Sequence, residues 1–149
     1  MSGIFGMNIK MAIYGESHGK SIGVVLDGLP PGLALDEAKI AAEMARRAPG
    51  QNALSTARKE SDTVEIQSGF FNGFTTGTPL CARIVNSDQH SKDYSILADK
   101  MRPGHADYAG HVRYQGFNDY RGGGHFSGRL TAPLVFAGAV AKQALAQYG

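Results

Sequence analysis

The sequence predicts a mixed α+β domain. Three observations predict it. Short runs of β-type residues recur on either side of tight turns. Two segments carry helical spacing with start and stop signals. The length, 149 residues, suits one domain that can bury a core without disulfides or metals. A hydrophobic share of 42% sets the chain apart from disordered compositions.

The elements follow in chain order. Residues 9–14 and 22–27 read as two short strands flanking the segment GESHGKS. Gly28-Leu29-Pro30-Pro31-Gly32 is a turn. Asp36 is placed as the N-cap of a helix, with Leu35 and Ile40 as its hydrophobic staple. Ile40, Met44 and Arg47 continue that spacing, and Pro49-Gly50 ends it near Arg47. Thr63 to Phe71 alternates as a strand, Asn72-Gly73 is a hairpin-type turn, and Pro79 to Asn86 is the partner strand. Ser91 to Asp99 is expected as a short helix. Met101 to Arg129 reads as loop, and Thr131 to Tyr148 as a closing helix that holds Pro133 in its first turn. That helix has a long apolar face with no element after it, so more protein is expected beyond it.

Composition excludes several classes. Cys81 is the only cysteine, so no intrachain disulfide forms, and a reducing, cytoplasmic location is expected. The N-terminus lacks the basic start and apolar stretch of a signal peptide. The longest apolar-looking run, Leu130 to Ala141, is shorter than the roughly 20 residues of a membrane span. A net charge of +2 gives no reason to expect nucleic-acid or membrane partners. Glycine is the outlier: its 20 residues are about twice the usual share, and they cluster beside Arg, Ser and His, as in a site built from loops.

Gly15-Glu16-Ser17-His18-Gly19 matches the nucleophile elbow G-x-S-x-G of serine hydrolases. The stretch after it, Ser21 to Pro31, is rich in Val and Gly and makes a poor helix, whereas the elbow needs a strand-to-helix turn. Gly15 through Ser21 also imitates a phosphate loop, but only Glu16, Ser17 and His18 separate Gly15 from Gly19-Lys20, one residue short. His18, His90, His105, His111 and His125 form no HExxH pair and Cys81 has no CxxC partner, so no metal site is expected. His90 and His111 read as surface residues. His18 and His105 sit in glycine-rich turns beside Ser or Arg. There the residues alone leave open a proton-transfer role near pH 7 or an ordinary turn position.

Arg46, Arg47, Arg58, Lys59, Arg102, Arg113, Arg121 and Arg129 fall near turns and helix ends, where guanidinium forks suit carboxylate and phosphate. Taken singly, each also reads as a surface cation. Arg102 differs, because Pro103-Gly104 fixes it beside His105. The segment from Arg121 to Arg129 precedes a helix whose free N–H groups favour an anion. Phe126 there suits either stacking on a planar ring or a core position. The residues themselves thus give an anion-binding domain with one or two histidines and leave the reaction unnamed.

In order, YGESHG, VLDGLPPG, RRAPGQN, RKESD, SGFFNGFTTGTPL, RPGHADY and DYRGGGHFSGR make the chain resemble chorismate synthase over almost its whole length. Members of that family are more than twice as long, so residues 1–149 resemble, as a single domain, their N-terminal part, with the catalytic C-terminal part lying beyond. The resemblance implies a β-α-β sandwich, present here in part, and a homotetramer at full length. It implies a lyase of aromatic amino acid biosynthesis that eliminates phosphate from 5-enolpyruvylshikimate 3-phosphate. The cofactor would be reduced FMN, which some members regenerate with NADPH. By the same resemblance His18 would donate a proton to the leaving phosphate and His105 would serve the reduced flavin. Ser17, Arg47, Arg102, Ser127 and Arg129 would hold the substrate's anionic groups, and Arg47, His125, Phe126 and Ser127 would contact FMN. An acidic base would come from the missing part, so the chain alone is expected to be inactive. Two positions depart from the family pattern: many members carry Arg-Ser-Ser where this chain has His125-Phe126-Ser127, and arginine where it has Ala53. A serine hydrolase using Ser17 and a non-catalytic anion- or flavin-binding module are the alternatives.

Overall fold

A computed structural model describes residues 3–48, 62–87 and 99–147. Ala53, Arg58, Lys59, His90 and nearly all of the helix expected at 91–99 lie outside those residues. The strands are β1 (Ile4–Phe5), β2 (Lys10–Gly15), β3 (Ser21–Asp27), β4 (Val64–Ser68), β5 (Phe70–Phe71), β6 (Phe74–Thr75) and β7 (Leu80–Val85). The helices are α1 (Glu37–Arg47), α2 (Asp107–Arg113) and α3 (Thr131–Leu145), the last preceded by two 3-10 turns at Arg121–Phe126 and Gly128–Leu130.

Five strands make an antiparallel sheet in the order β1-β2-β3-β7-β4. Alternation along β3 sends Ile22, Val24 and Leu26 to one face, and the register sets them opposite Ile84, Ala82 and Leu80 of β7. All six are buried, and Phe136, Ala139 and Val140 of α3 join the same core with Ile40 and Met44 of α1. Apolar surface removed from water drives this packing, and a fully buried Phe136 contributes up to about 3 kcal/mol. On the opposite face Tyr14 lies over Gly23, its paired residue on β3, and its hydroxyl donates to the Ala82 carbonyl at 3.4 Å. Burial there raises the Tyr14 pKa, with Cys81 adding to the effect.

The start of α1 matches the expectation. Asp36 caps it, its Oδ1 accepting from the N–H groups of Ala38 and Lys39, and Leu35 and Ile40 are both buried. A long-range contact completes the cap. The Gln143 amide of α3 accepts from the Asp36 N–H at 2.7 Å and donates to the Asp36 carbonyl at 3.2 Å. It fixes the two helices side by side on the sheet.

Three expectations change. The strand expected over 63–71 is broken at Gly69. Its φ is +77°, and a Cβ there would stand 2.5 Å from Leu80 Cα, so the backbone bends and β5 leaves the main sheet. Asn72-Gly73 does close a hairpin, with φ of 50° and 86° as a type I′ turn requires. It joins β5 to β6, while β7 is the partner of β4 as expected and pairs with β3 on its other side. The stretch 101–129 is only partly loop: Asp107–Arg113 is helical, with Asp107 in its first turn. Its short length and interior Gly110 hid its period.

Candidate active site

The site begins at the turn between β2 and β3. Gly15 has φ of +95°, and its missing side chain lets the turn fold back on Ser21, whose carbonyl oxygen would lie 2.3 Å from a Cβ. The turn therefore leads from strand to strand. The strand-to-helix geometry of a hydrolase elbow is not formed, and Ser17 is 1% exposed. Ser17 and His18 are both buried, and the turn docks on the triple-glycine segment through two contacts. The Ser17 N–H donates to the Gly124 carbonyl at 3.1 Å, and His125 Nδ1 donates to the Gly15 carbonyl at 2.8 Å. A carbonyl only accepts, so the Nδ1 of His125 carries a proton.

Gly122, Gly123 and Gly124 have φ of +58°, +86° and +54°, three successive residues in a region that side chains disfavour. Their bareness matters as much as their angles. A Cβ on Gly122 would meet His18 Nδ1 at 2.2 Å and Ser17 Oγ at 3.1 Å, and one on Gly123 would meet His105 Nε2 at 2.9 Å and Arg102 at 3.5 Å. The two histidines singled out by the sequence thus rest on successive residues of one turn.

His105 sits in a charged setting. The Asp107 carboxylate accepts from Arg102 Nε at 2.8 Å, from its terminal nitrogen at 2.9 Å and from its backbone N–H at 3.0 Å. His105 Nδ1 lies 2.5 Å from the same carboxylate. The Arg102 guanidinium holds the Asp107 carboxyl well below the usual carboxylate range. A terminal nitrogen of that guanidinium also lies 3.3 and 3.4 Å from the two ring nitrogens of His105. Asp119 is likewise lowered, chiefly by hydrogen bonds from Arg121, with His18 a smaller cause.

Of the remaining predicted residues, Arg47 and Arg129 meet on Asp62, whose side chain is fully buried. One carboxylate oxygen accepts from Arg47 at 2.5 Å, and the other pairs with Arg129. Arg129 is buried, whereas the Arg47 side chain keeps 19% of its exposure. Ser127 Oγ accepts from the Arg129 N–H at 3.3 Å and caps the turn before α3. Phe126 packs on α2, against Gly110 and 6.2 Å from the Tyr114 ring.

Sequence reading missed four residues of this assembly: Asp62, Asn86, Asp107 and Asp119. Asp62 and Asp107 lie inside the segments RKESD and RPGHADY, where an acid amid arginines and a histidine was a usable signal. For Asn86 no local signal existed. Among the described residues, no cluster of three or more His, Cys, Asp or Glu side chains is placed to hold a metal, and no helix is long and apolar enough to cross a membrane.

Comparison with known proteins decides the family. The model of the chorismate synthase family matches residues 9–149. The chain belongs to the chorismate synthase family. It is similar to the chorismate synthase of Cytophaga hutchinsonii, 52% identical over 147 residues, covering 99% of this chain and 41% of that one. The chorismate synthase of Burkholderia multivorans is 56% identical over 144 residues, covering 96% of this chain and 39% of that one. A crystal structure of chorismate synthase superimposes with a TM-score of 0.66 at 30% identity, covering 96% of this chain and 35% of that one. The chain therefore spans about two fifths of the length of these chorismate synthases and has the fold of part of one, with helix and sheet mixed as expected.

Proposed function

We propose that this chain supplies one wall of a phosphate-eliminating site acting on 5-enolpyruvylshikimate 3-phosphate. The protein containing it would be a chorismate synthase of aromatic amino acid biosynthesis. The observation that carries the reading is the placement of His18 and His105 on adjacent glycines, with Arg102 beside the second. An elimination of this kind breaks the carbon–oxygen bond to phosphate and removes a ring proton, so charge grows on the departing oxygen. A buried imidazole can deliver a proton there, and fixed guanidinium groups neutralise the rest without reorganising. Arg47, which remains partly exposed, and Arg102 are the cations best placed for an anionic ligand. Ser17 faces the Gly122 side of the same turn. Arg129 is engaged with Asp62 and would act through the shape of the site.

The residues present fit a reduced flavin. Its anionic phosphate suits Arg47 and Arg102, whose side chains stay partly exposed, while the bare faces of Gly122, Gly123 and Gly124 are taken up by His18, His105 and the Asp119 carbonyl, so the group would lie beyond those residues. Reduced FMN, when bound, supplies electron density to the bond being broken and recovers it, so there is no net redox change. His105 would hold a proton next to that group, and His125, Phe126 and Arg47 would frame it. NADPH would serve as the source of reducing equivalents. A homotetramer in the cytoplasm would be the working form, with the base for the ring proton contributed from outside these residues.

The test is chorismate formation by the protein at its full encoded length, with reduced FMN and the substrate under anaerobic conditions. Chorismate and phosphate are expected in equal amounts, and the 149-residue chain by itself is expected to form none. Absence of chorismate from the full-length protein overturns the reading. Flavin binding without turnover would favour the non-catalytic module.

A further inference from the structure

We propose that Asn86 is a positioning residue for His18, tying the turn that carries it to the buried Asp62–Arg129 pair. The proposal rests on the reading of His18 as a proton donor. Asn86 follows the last residue of β7 and is 5% exposed. Its side-chain Nδ2 donates to the Glu16 carbonyl at 3.0 Å and to the Gly19 carbonyl at 2.8 Å. These two residues bracket Ser17 and His18. Its Oδ1 accepts from Arg129 Nε at 3.3 Å, and its backbone N–H donates to the Lys20 carbonyl at 3.2 Å.

The chemistry of the partners sets the direction of the amide. Two carbonyls only accept and a guanidinium only donates, so the NH2 end faces the turn and the oxygen faces Arg129. An amide is the side chain of this size that meets both demands. A carboxylate would set an oxygen against two carbonyl oxygens, and a leucine would leave them unsatisfied. The fit of His18 against Gly122 leaves no slack, so a turn released from Asn86 must carry the imidazole out of place. One line of contacts runs from Arg47 through Asp62, Arg129 and Asn86 to the backbone on both sides of His18.

The experiment is diethyl pyrocarbonate labelling of the full-length protein, with each histidine read by mass spectrometry, alongside elimination kinetics. In the wild type, His18 is buried and should react far more slowly than the exposed His111. In Asn86→Ala the His18 rate should rise about tenfold or more through local opening, with His111 unchanged. Asn86→Asp keeps an acceptor for Arg129 and removes both donors to the turn, so it should show the same selective rise. In both variants kcat should fall about 10- to 100-fold while KM stays within about threefold. A His18 rate unchanged in both variants overturns the proposal. A uniform rise at every histidine in both also overturns it, because it makes Asn86 a general fold residue. If the wild type forms no chorismate, the functional reading fails while the labelling still decides the role of Asn86.

Discussion

Gly122 lies against the ring of His18 so closely that a methyl group has no room: its Cβ would stand 2.2 Å from Nδ1 and 2.3 Å from Cε1. The contact joins two segments more than a hundred residues apart in the chain, and it fixes where the imidazole can be.

The first prediction follows from it. Gly122→Ala must move His18 or the turn, and a misplacement of about 1 Å costs on the order of 100-fold in kcat. A left-handed alanine costs about 1–2 kcal/mol of stability and its overlap with the buried ring about 1–3 kcal/mol more, so activity and stability should both fall, activity by the larger factor. Gly138→Ala is the control. It lies inside α3 with nothing within 4 Å of a Cβ and should stabilise by about 1 kcal/mol. Steady-state kinetics with a urea unfolding curve for each variant check both statements.

The second concerns Asp62, which holds Arg47 on one oxygen and Arg129 on the other with its side chain fully buried. Removing one partner of a buried pair leaves a desolvated charge, which costs about 3–5 kcal/mol. Asp62→Ala should lose stability of that order, as measured by denaturant unfolding. Combining it with Arg129→Met should recover part of the loss, since the stranded charge is then gone. Equal instability in the single and double variants would contradict this account of the pair.

Much of this was legible in the residue order, and the exceptions have a physical pattern. The Asp36 cap, the strands on either side of GESHG, and the Asn72-Gly73 turn are set by neighbouring residues and read directly. The pairing of β7 with β4 was read as well, whereas its pairing with β3 depends on contacts distant in sequence and was not. The glycine cluster announced a loop-built site, but the pairing of Gly122 with His18 and Gly123 with His105 needed coordinates. The arginines announced anion binding, yet their counterions decide which of them faces a ligand. Arg129 is buried on Asp62, and only the fold shows it.

The third prediction is a pH dependence. The hydrogen bonds from Arg102 lower the folded pKa of Asp107 below its ordinary value of 3.8. A carboxyl lowered in this way adds stability above its unfolded pKa, and the contribution is lost as pH falls toward the folded one. Asp107→Asn should therefore be less stable than the wild type at pH 7. The gap should narrow between about pH 5 and pH 3 as the wild type loses its advantage. Unfolding free energies across that range provide the check, and a gap independent of pH contradicts the assignment.

The central claim is that His18 and His105, held against the successive residues Gly122 and Gly123, serve one elimination. The most direct measurement is kcat for chorismate formation in His18→Ala, His105→Ala and the double variant of the full-length protein. Each single change should lower kcat by about 100-fold or more, and the double variant should fall far short of the product of the two losses, as groups acting as a unit do. Losses that multiply fully, or either single variant turning over at the wild-type rate, would contradict it.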